Sequence, residues 1–69
     1  MNKILSKKLG EVVKAAREKQ KLTQAEVAKG SGVAVNYYAM VERGESNLTQ
    51  DKISRIFRFL KLKPSDIPI

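Results

Sequence analysis

Apolar residues recur at intervals of three and four along most of this chain, the spacing of one face of an α-helix. Leu9, Val12, Val13 and Ala16 set this pattern over a first segment from about Ser6 to Gln20, with Lys7, Lys8, Glu11, Lys14 and Glu18 on the opposite side. Lys19 and Lys21 near its end suit the negative pole of the helix dipole. Thr23 then opens a short second segment, and Glu26 follows three positions later. That spacing predicts a capping box, in which each side chain satisfies a free backbone amide of the other residue. Val27 and Ala28 point inward, and the segment stops at Lys29-Gly30-Ser31-Gly32, where the paired glycines predict a sharp turn with positive φ. A third segment runs from about Val35 to Arg43 and ends at Gly44. Tyr38 and Val41 face its core side, and Val35, Asn36, Ala39 and Met40 fall on the other faces. After the polar stretch Glu45-Ser46-Asn47, Thr49 caps a fourth segment from about Gln50 to Leu62, striped by Ile53, Ile56, Phe57 and Leu60. Pro64 begins a fifth, single-turn piece, Pro-Ser-Asp-Ile, before the chain closes on Ile67-Pro68-Ile69. No alternating strand pattern intervenes, so an all-α bundle of five helices in one domain, residues 1–69, is expected.

Composition narrows the chemistry. In 69 residues there is no cysteine and no histidine, so disulfides, thiolate or imidazole catalysis and the usual zinc ligands are excluded. No metal site or cofactor is expected. A chain this small buries only roughly 60% of its unfolded surface, and its core can supply a net stability of only ~3–5 kcal/mol. Well-packed helices, self-association or both must therefore hold it. A hydrophobic content of 42% is too high for a disordered basic tail. Fourteen Lys and Arg against seven Asp and Glu leave a net charge of +7, which favours a polyanionic partner. The apolar runs are two or three residues long, against the ~20 that a membrane-spanning helix needs, and the basic start MNKILSKKLG lacks the continuous apolar stretch of a secretory signal. A cytoplasmic protein without a membrane partner is expected.

The capped second segment, the glycine turn and the short third segment, about 23–44, have the layout of a helix-turn-helix. From Leu9 to Ile67 the chain resembles the phage-repressor and Cro-like (Xre-type) domain family. Carrying that resemblance are Arg17 late in the first helix, Leu22-Thr23-Gln24, Val27-Ala28, Gly32-Val33, Val41-Glu42-Arg43-Gly44, and then Ile53, Ile56, Leu60, Leu62 and Ile67. No single element is specific, but their order and spacing fit without an insertion. The resemblance implies a compact bundle of the lambda-repressor-like type whose third helix lies in the major groove of double-stranded DNA. By position it implies base readout by Ala34, Val35, Asn36, Tyr37 and Met40, and backbone contacts from Thr23, Gln24, Arg43 and Asn47. It also implies a structural ion pair between Arg17 and Glu42, whose alternative is two solvated charges. Gln24 at a capped helix start is either a phosphate ligand or an exposed polar residue without a role. Arg43 either touches phosphate or complements the dipole of its helix.

Three departures from the family pattern matter. Ala34 stands where a capping Ser or Thr is usual, so the third helix loses a contribution of ~0.5–2 kcal/mol. Among the base-reading positions Asn36 alone can make a bidentate contact to adenine, while Ala34, Val35 and Met40 can only touch thymine methyls or fill space. Phe57 and Phe59, two apart on one helix, cannot both point inward. Phe59, Leu62, Ile67 and Ile69 therefore form the candidate patch for a homodimer, the alternative being that they close the domain's own core. Lys3, Lys7 and Lys8, and Arg55, Arg58, Lys61 and Lys63, are basic groups that either contact phosphate or form solvated faces.

The leading expectation is a sequence-specific transcriptional regulator, a repressor, that binds a two-fold symmetric operator as a homodimer and catalyses nothing. Two alternatives stand beside it. One is the antitoxin or restriction–modification controller subclass of the same fold, with a toxin or antirepressor as protein partner. The other is a protein-interaction adaptor with weak DNA binding, supported by the sparse base-reading set and weakened by the charge.

Overall fold

The computed structural model describes residues 3–45 and 49–63. Within them the chain forms four helices: α1 (Lys3–Lys19), α2 (Gln24–Ser31), α3 (Val35–Arg43) and α4 (Gln50–Leu60), with no strand among the described residues. The expected fifth helix at Pro-Ser-Asp-Ile lies outside the described residues, as do Asn47, Ile67 and Ile69. α1 starts at Lys3 rather than near Ser6. Nothing in the Lys3-Ile4-Leu5 run breaks a helix, so the boundary is not set by a local signal.

α1 packs mainly on α3, and α2 packs on both α4 and α3. Leu9 and Val13 of α1, Val27 and Ala28 of α2, Tyr38 and Val41 of α3, and Ile56, Phe57 and Leu60 of α4 meet in one buried core. Ala16, Leu22, Val33, Tyr37, Ile53, Phe59 and Leu62 pack half-buried around it. Phe57 is thus the inward aromatic of the pair and Phe59 the flanking one. The ring of Phe59 lies against α2 at Gly30, where an added Cβ would come within 2.2 Å of it. Gly30 consequently serves helix packing, not the turn: it sits inside α2, and only Gly32 of the two glycines has positive φ, at 73°. The expectation that both glycines make the turn is corrected here. A glycine inside a helix can mark close approach as readily as chain reversal.

All four helices end the same way, with one residue in the left-handed region and the following amide reaching back to a carbonyl of the last turn. Leu22 N–H donates to Arg17 O, Val33 to Ala28 O, Glu45 to Met40 O and Leu62 to Phe57 O. Gly32 and Gly44 occupy two of the left-handed positions; Lys21 and Lys61, at φ 58° and 61°, occupy the others. α4 therefore stops at Leu60, short of the expected Leu62, because Lys61 is its left-handed cap. Gly44 could not be replaced cheaply even without its φ of 75°, since an added Cβ would lie 2.5 Å from the Cα of Lys7 on α1. The ends of α1 and α4 are tied together by the Gln20 side-chain amide, which donates to Leu60 O at 2.8 Å.

Candidate nucleic-acid interface

The local rules that start α2 are met as the sequence predicts. Thr23 Oγ1 accepts from Glu26 N at 3.0 Å, and Thr23 N donates to the Glu26 carboxylate at 2.8 Å. The Thr23 backbone amide first, and its neighbouring hydroxyl second, hold the Glu26 carboxyl below its ordinary pKa. Gly32, Val33 and Ala34 then carry the chain from α2 to α3. α3 starts differently: Ala34 is extended, at φ −70° and ψ 146°, but gives no side-chain hydrogen bond to the helix it opens. α4 again has a threonine cap, with Lys52 N donating to Thr49 Oγ1 at 3.4 Å.

Ala34, Val35 and Asn36 are exposed at the start of α3, and Met40 is half-buried one turn further on. Ala34 is the residue before α3, and on the helix itself Asn36 and Met40 lie away from the face of the buried Tyr38 and Val41, with Val35 at its edge. Tyr37 is more constrained than the base-reading role alone suggests. Its hydroxyl accepts a hydrogen bond from Thr49 N at 3.0 Å, at the start of α4, and the ammonium of Lys52 sits 4.6 Å from its ring centroid. The ring therefore braces α3 against α4, and the hydroxyl keeps its own hydrogen for another acceptor.

Arg17 and Glu42 are brought together across 25 positions of sequence. Arg17 Nε donates to Glu42 Oε2 at 2.5 Å and Nη2 to Oε1 at 3.3 Å, while Nη1 donates to Leu22 O at 2.8 Å. The side chains are 15% and 5% exposed, so the pair is largely removed from water. One guanidinium thus ties the end of α1, the loop before α2 and the end of α3. Gln24 joins the same group, its side-chain amide donating to Glu42 Oε1 at 2.9 Å. It is half-buried and oriented by Glu42, which differs from the freely exposed residue that one reading of the sequence allowed. Burial works to raise the Glu42 pKa, but Arg17, Tyr38 and Gln24 together outweigh it and leave the carboxyl below its ordinary value. The Arg17 pKa is correspondingly raised, chiefly by its hydrogen bond to Glu42. Tyr38 is held well above its ordinary range, first by burial and then by the neighbouring carboxylate, and its buried hydroxyl has no hydrogen bond of normal geometry.

The remaining sequence candidates are scattered. Thr23 is exposed beside Gln24. Arg43 pairs with Glu45 on the surface, both about half-exposed, an arrangement of little energetic weight. Phe59 and Leu62 are half-buried against the core. Sequence reasoning missed Gln20, the bracing role of Tyr37 and the left-handed lysines. The first two depend on which helix ends meet in space, and lysine is not a residue that announces such a backbone.

A short capped helix, a three-residue turn and a second helix with an exposed N-terminal face form the arrangement through which helix-turn-helix proteins bind DNA. The helix-turn-helix family model matches residues 13–67, and the chain belongs to that family of DNA-binding domains. Among solved structures it is similar to the restriction-modification controller protein C.AhdI from Aeromonas hydrophila, with a TM-score of 0.83 and 27% identity over 91% of this chain and 96% of that one. No curated protein matches the sequence. No helix among the described residues is long and apolar enough to cross a membrane, and no group of acidic side chains there could hold a metal ion.

Proposed function

We propose that this chain is a sequence-specific transcriptional regulator that binds double-stranded DNA as a homodimer, without catalysing a reaction. The observation that carries this reading is the exposed start of α3, held at a fixed angle to α2 by the Gly32 turn and the Arg17–Glu42–Gln24 network. In this reading α3 enters the major groove and Asn36 pairs its amide with an adenine edge. Ala34, Val35 and Met40 meet the groove floor beside it, with Tyr37 at the flank. Thr23 and Gln24 approach one phosphate at the start of α2, where backbone amides favour an anion. The Gln24 amide has one hydrogen committed to Glu42 and a second for the phosphate. Arg43 approaches phosphate by exchanging its Glu45 partner, and a phosphate contact from Asn47 belongs to the same proposal.

One such domain reads half a site. A dimer sets two recognition helices ~34 Å apart on one face of the duplex. Phe59 and Leu62 each keep part of their surface for that contact, and Ile67 and Ile69 complete the proposed patch. A dimer seated over a promoter blocks it, which makes repression the expected sign and the cytoplasm the expected compartment. A narrower reading, a controller of restriction–modification genes, is favoured over the antitoxin subclass by the likeness to the Aeromonas hydrophila controller along nearly the full length of both chains.

Selection from a random duplex library at two salt concentrations tests the proposal. The expected product is a two-fold symmetric site with half-sites about ten base pairs apart, with binding lost in Asn36→Ala. Weak binding without sequence preference that disappears in salt would overturn it in favour of a protein-interaction adaptor.

A further inference from the structure

We infer that the start of α3 reads a pyrimidine C5-methyl group, so that each half-site places thymine, or equally 5-methylcytosine, against Val35. This deepens the DNA-binding reading and rests on it.

Val35 is 45% exposed and is the one large hydrophobic side chain left exposed among the described residues. Leu22, Val33, Ile53, Phe59 and Leu62, by contrast, pack half-buried against the core. Val35 is also the first residue of α3, and the residue before it, the exposed Ala34, is the one N-cap of α2, α3 and α4 without a side-chain hydrogen bond. Two consecutive surface positions are thus given to aliphatic side chains that neither pack the core nor cap the helix. Folding explains neither choice.

Groove chemistry does. Guanine offers two acceptors in the major groove, adenine an acceptor and a donor, and cytosine a donor. An aliphatic side chain pressed against any of these strips water from a polar group and returns no hydrogen bond, which is unfavourable. Thymine alone among the four bases adds a methyl group, for which a valine is a matched surface. Asn36, exposed beside Val35, supplies the polar contact to a neighbouring adenine. The methyl of 5-methylcytosine occupies the same ring position as that of thymine. Recognition through Val35 therefore makes the protein responsive to cytosine methylation at that base.

The test uses the intact protein and an operator recovered by selection. Each thymine of the half-site is replaced in turn by deoxyuridine, which removes the methyl and nothing else. At one thymine per half-site the wild-type protein is expected to lose about fourfold in affinity, the effect of one buried methyl group. Placing cytosine and then 5-methylcytosine there should restore a gain of similar size on methylation. Val35→Ala, at an exposed position and checked by circular dichroism, should bind the thymine and deoxyuridine sites alike. The inference is overturned if tight, specific binding is indifferent to deoxyuridine at every position, or if Val35→Ala keeps the full methyl preference. Failure to recover any operator would instead overturn the DNA-binding reading, and that result appears before a base analogue is used.

Discussion

Replacing Lys21 or Lys61 by glycine should stabilise the protein even though each change removes a large side chain. Both lysines are exposed and sit in the left-handed region, at φ 58° and 61°. For a residue with a Cβ this conformation costs roughly 1–2 kcal/mol, and glycine removes that cost. Two terms oppose the gain. Glycine gives the unfolded chain more freedom, at about 0.4–1 kcal/mol, and a cation is lost from a helix C-terminus, at about 0.3 kcal/mol when exposed. The backbone bonds of the caps, Lys21 N to Glu18 O and Lys61 N to Arg58 O, survive in either variant. About 0.5 kcal/mol per site remains. In a domain of this size that raises the melting temperature by ~2–4 °C. Thermal unfolding by circular dichroism reads the shift, with Lys19→Gly as control. Lys19 is the last residue of α1 and lacks positive φ, so glycine there removes the same charge but should lower the midpoint. A lower midpoint in Lys21→Gly or Lys61→Gly, matching the control, would refute the argument that strain at these caps outweighs chain entropy.

Other outcomes follow from the same structure. Arg17→Ala or Glu42→Ala leaves a buried charge without its partner and should cost ~3–5 kcal/mol, as much as the net stability of so small a core, so far-UV circular dichroism should show an unfolded chain. Because the Glu42 carboxyl is held below its ordinary value, its contribution is complete above the unfolded pKa of about 4.3 and is lost as pH falls through the folded one; acid titration of the melting temperature should show that fall. Gly44→Ala meets both a positive φ and the α1 backbone at Lys7, and should lower the urea midpoint by the equivalent of more than ~2 kcal/mol. Ala34→Ser supplies the missing cap of α3 and should add ~0.5–2 kcal/mol in the same urea assay.

What could be read from sequence was what lies within one helical turn. The Thr23–Glu26 box, the threonine at the start of α4 and the alignment of Tyr38 with Val41 are all local, and the structure has them where the spacing predicts. The Arg17–Glu42 pair spans 25 positions and was accessible only through family resemblance. Gln24 on Glu42, Gln20 on Leu60 and Tyr37 on Thr49 had no sequence signal, because each depends on how two helix ends approach in three dimensions. Gly30 was misread for the converse reason: a local punctuation rule was applied to a residue whose size is set by Phe59, 29 positions away.

The uncapped, exposed start of α3 has one more consequence. Many other side chains of the helix-turn-helix are committed: Thr23 and Glu26 to a cap, Gln24 and Arg17 to Glu42, Tyr37 to α4, Tyr38 and Val41 to the core. Ala34, Val35 and Asn36 alone form a stretch free of intramolecular duty among the described residues of that motif. The scaffold can therefore be re-addressed to another duplex sequence at these three adjacent positions while its foldability is preserved, so the lexicon of the reader is separable from its grammar.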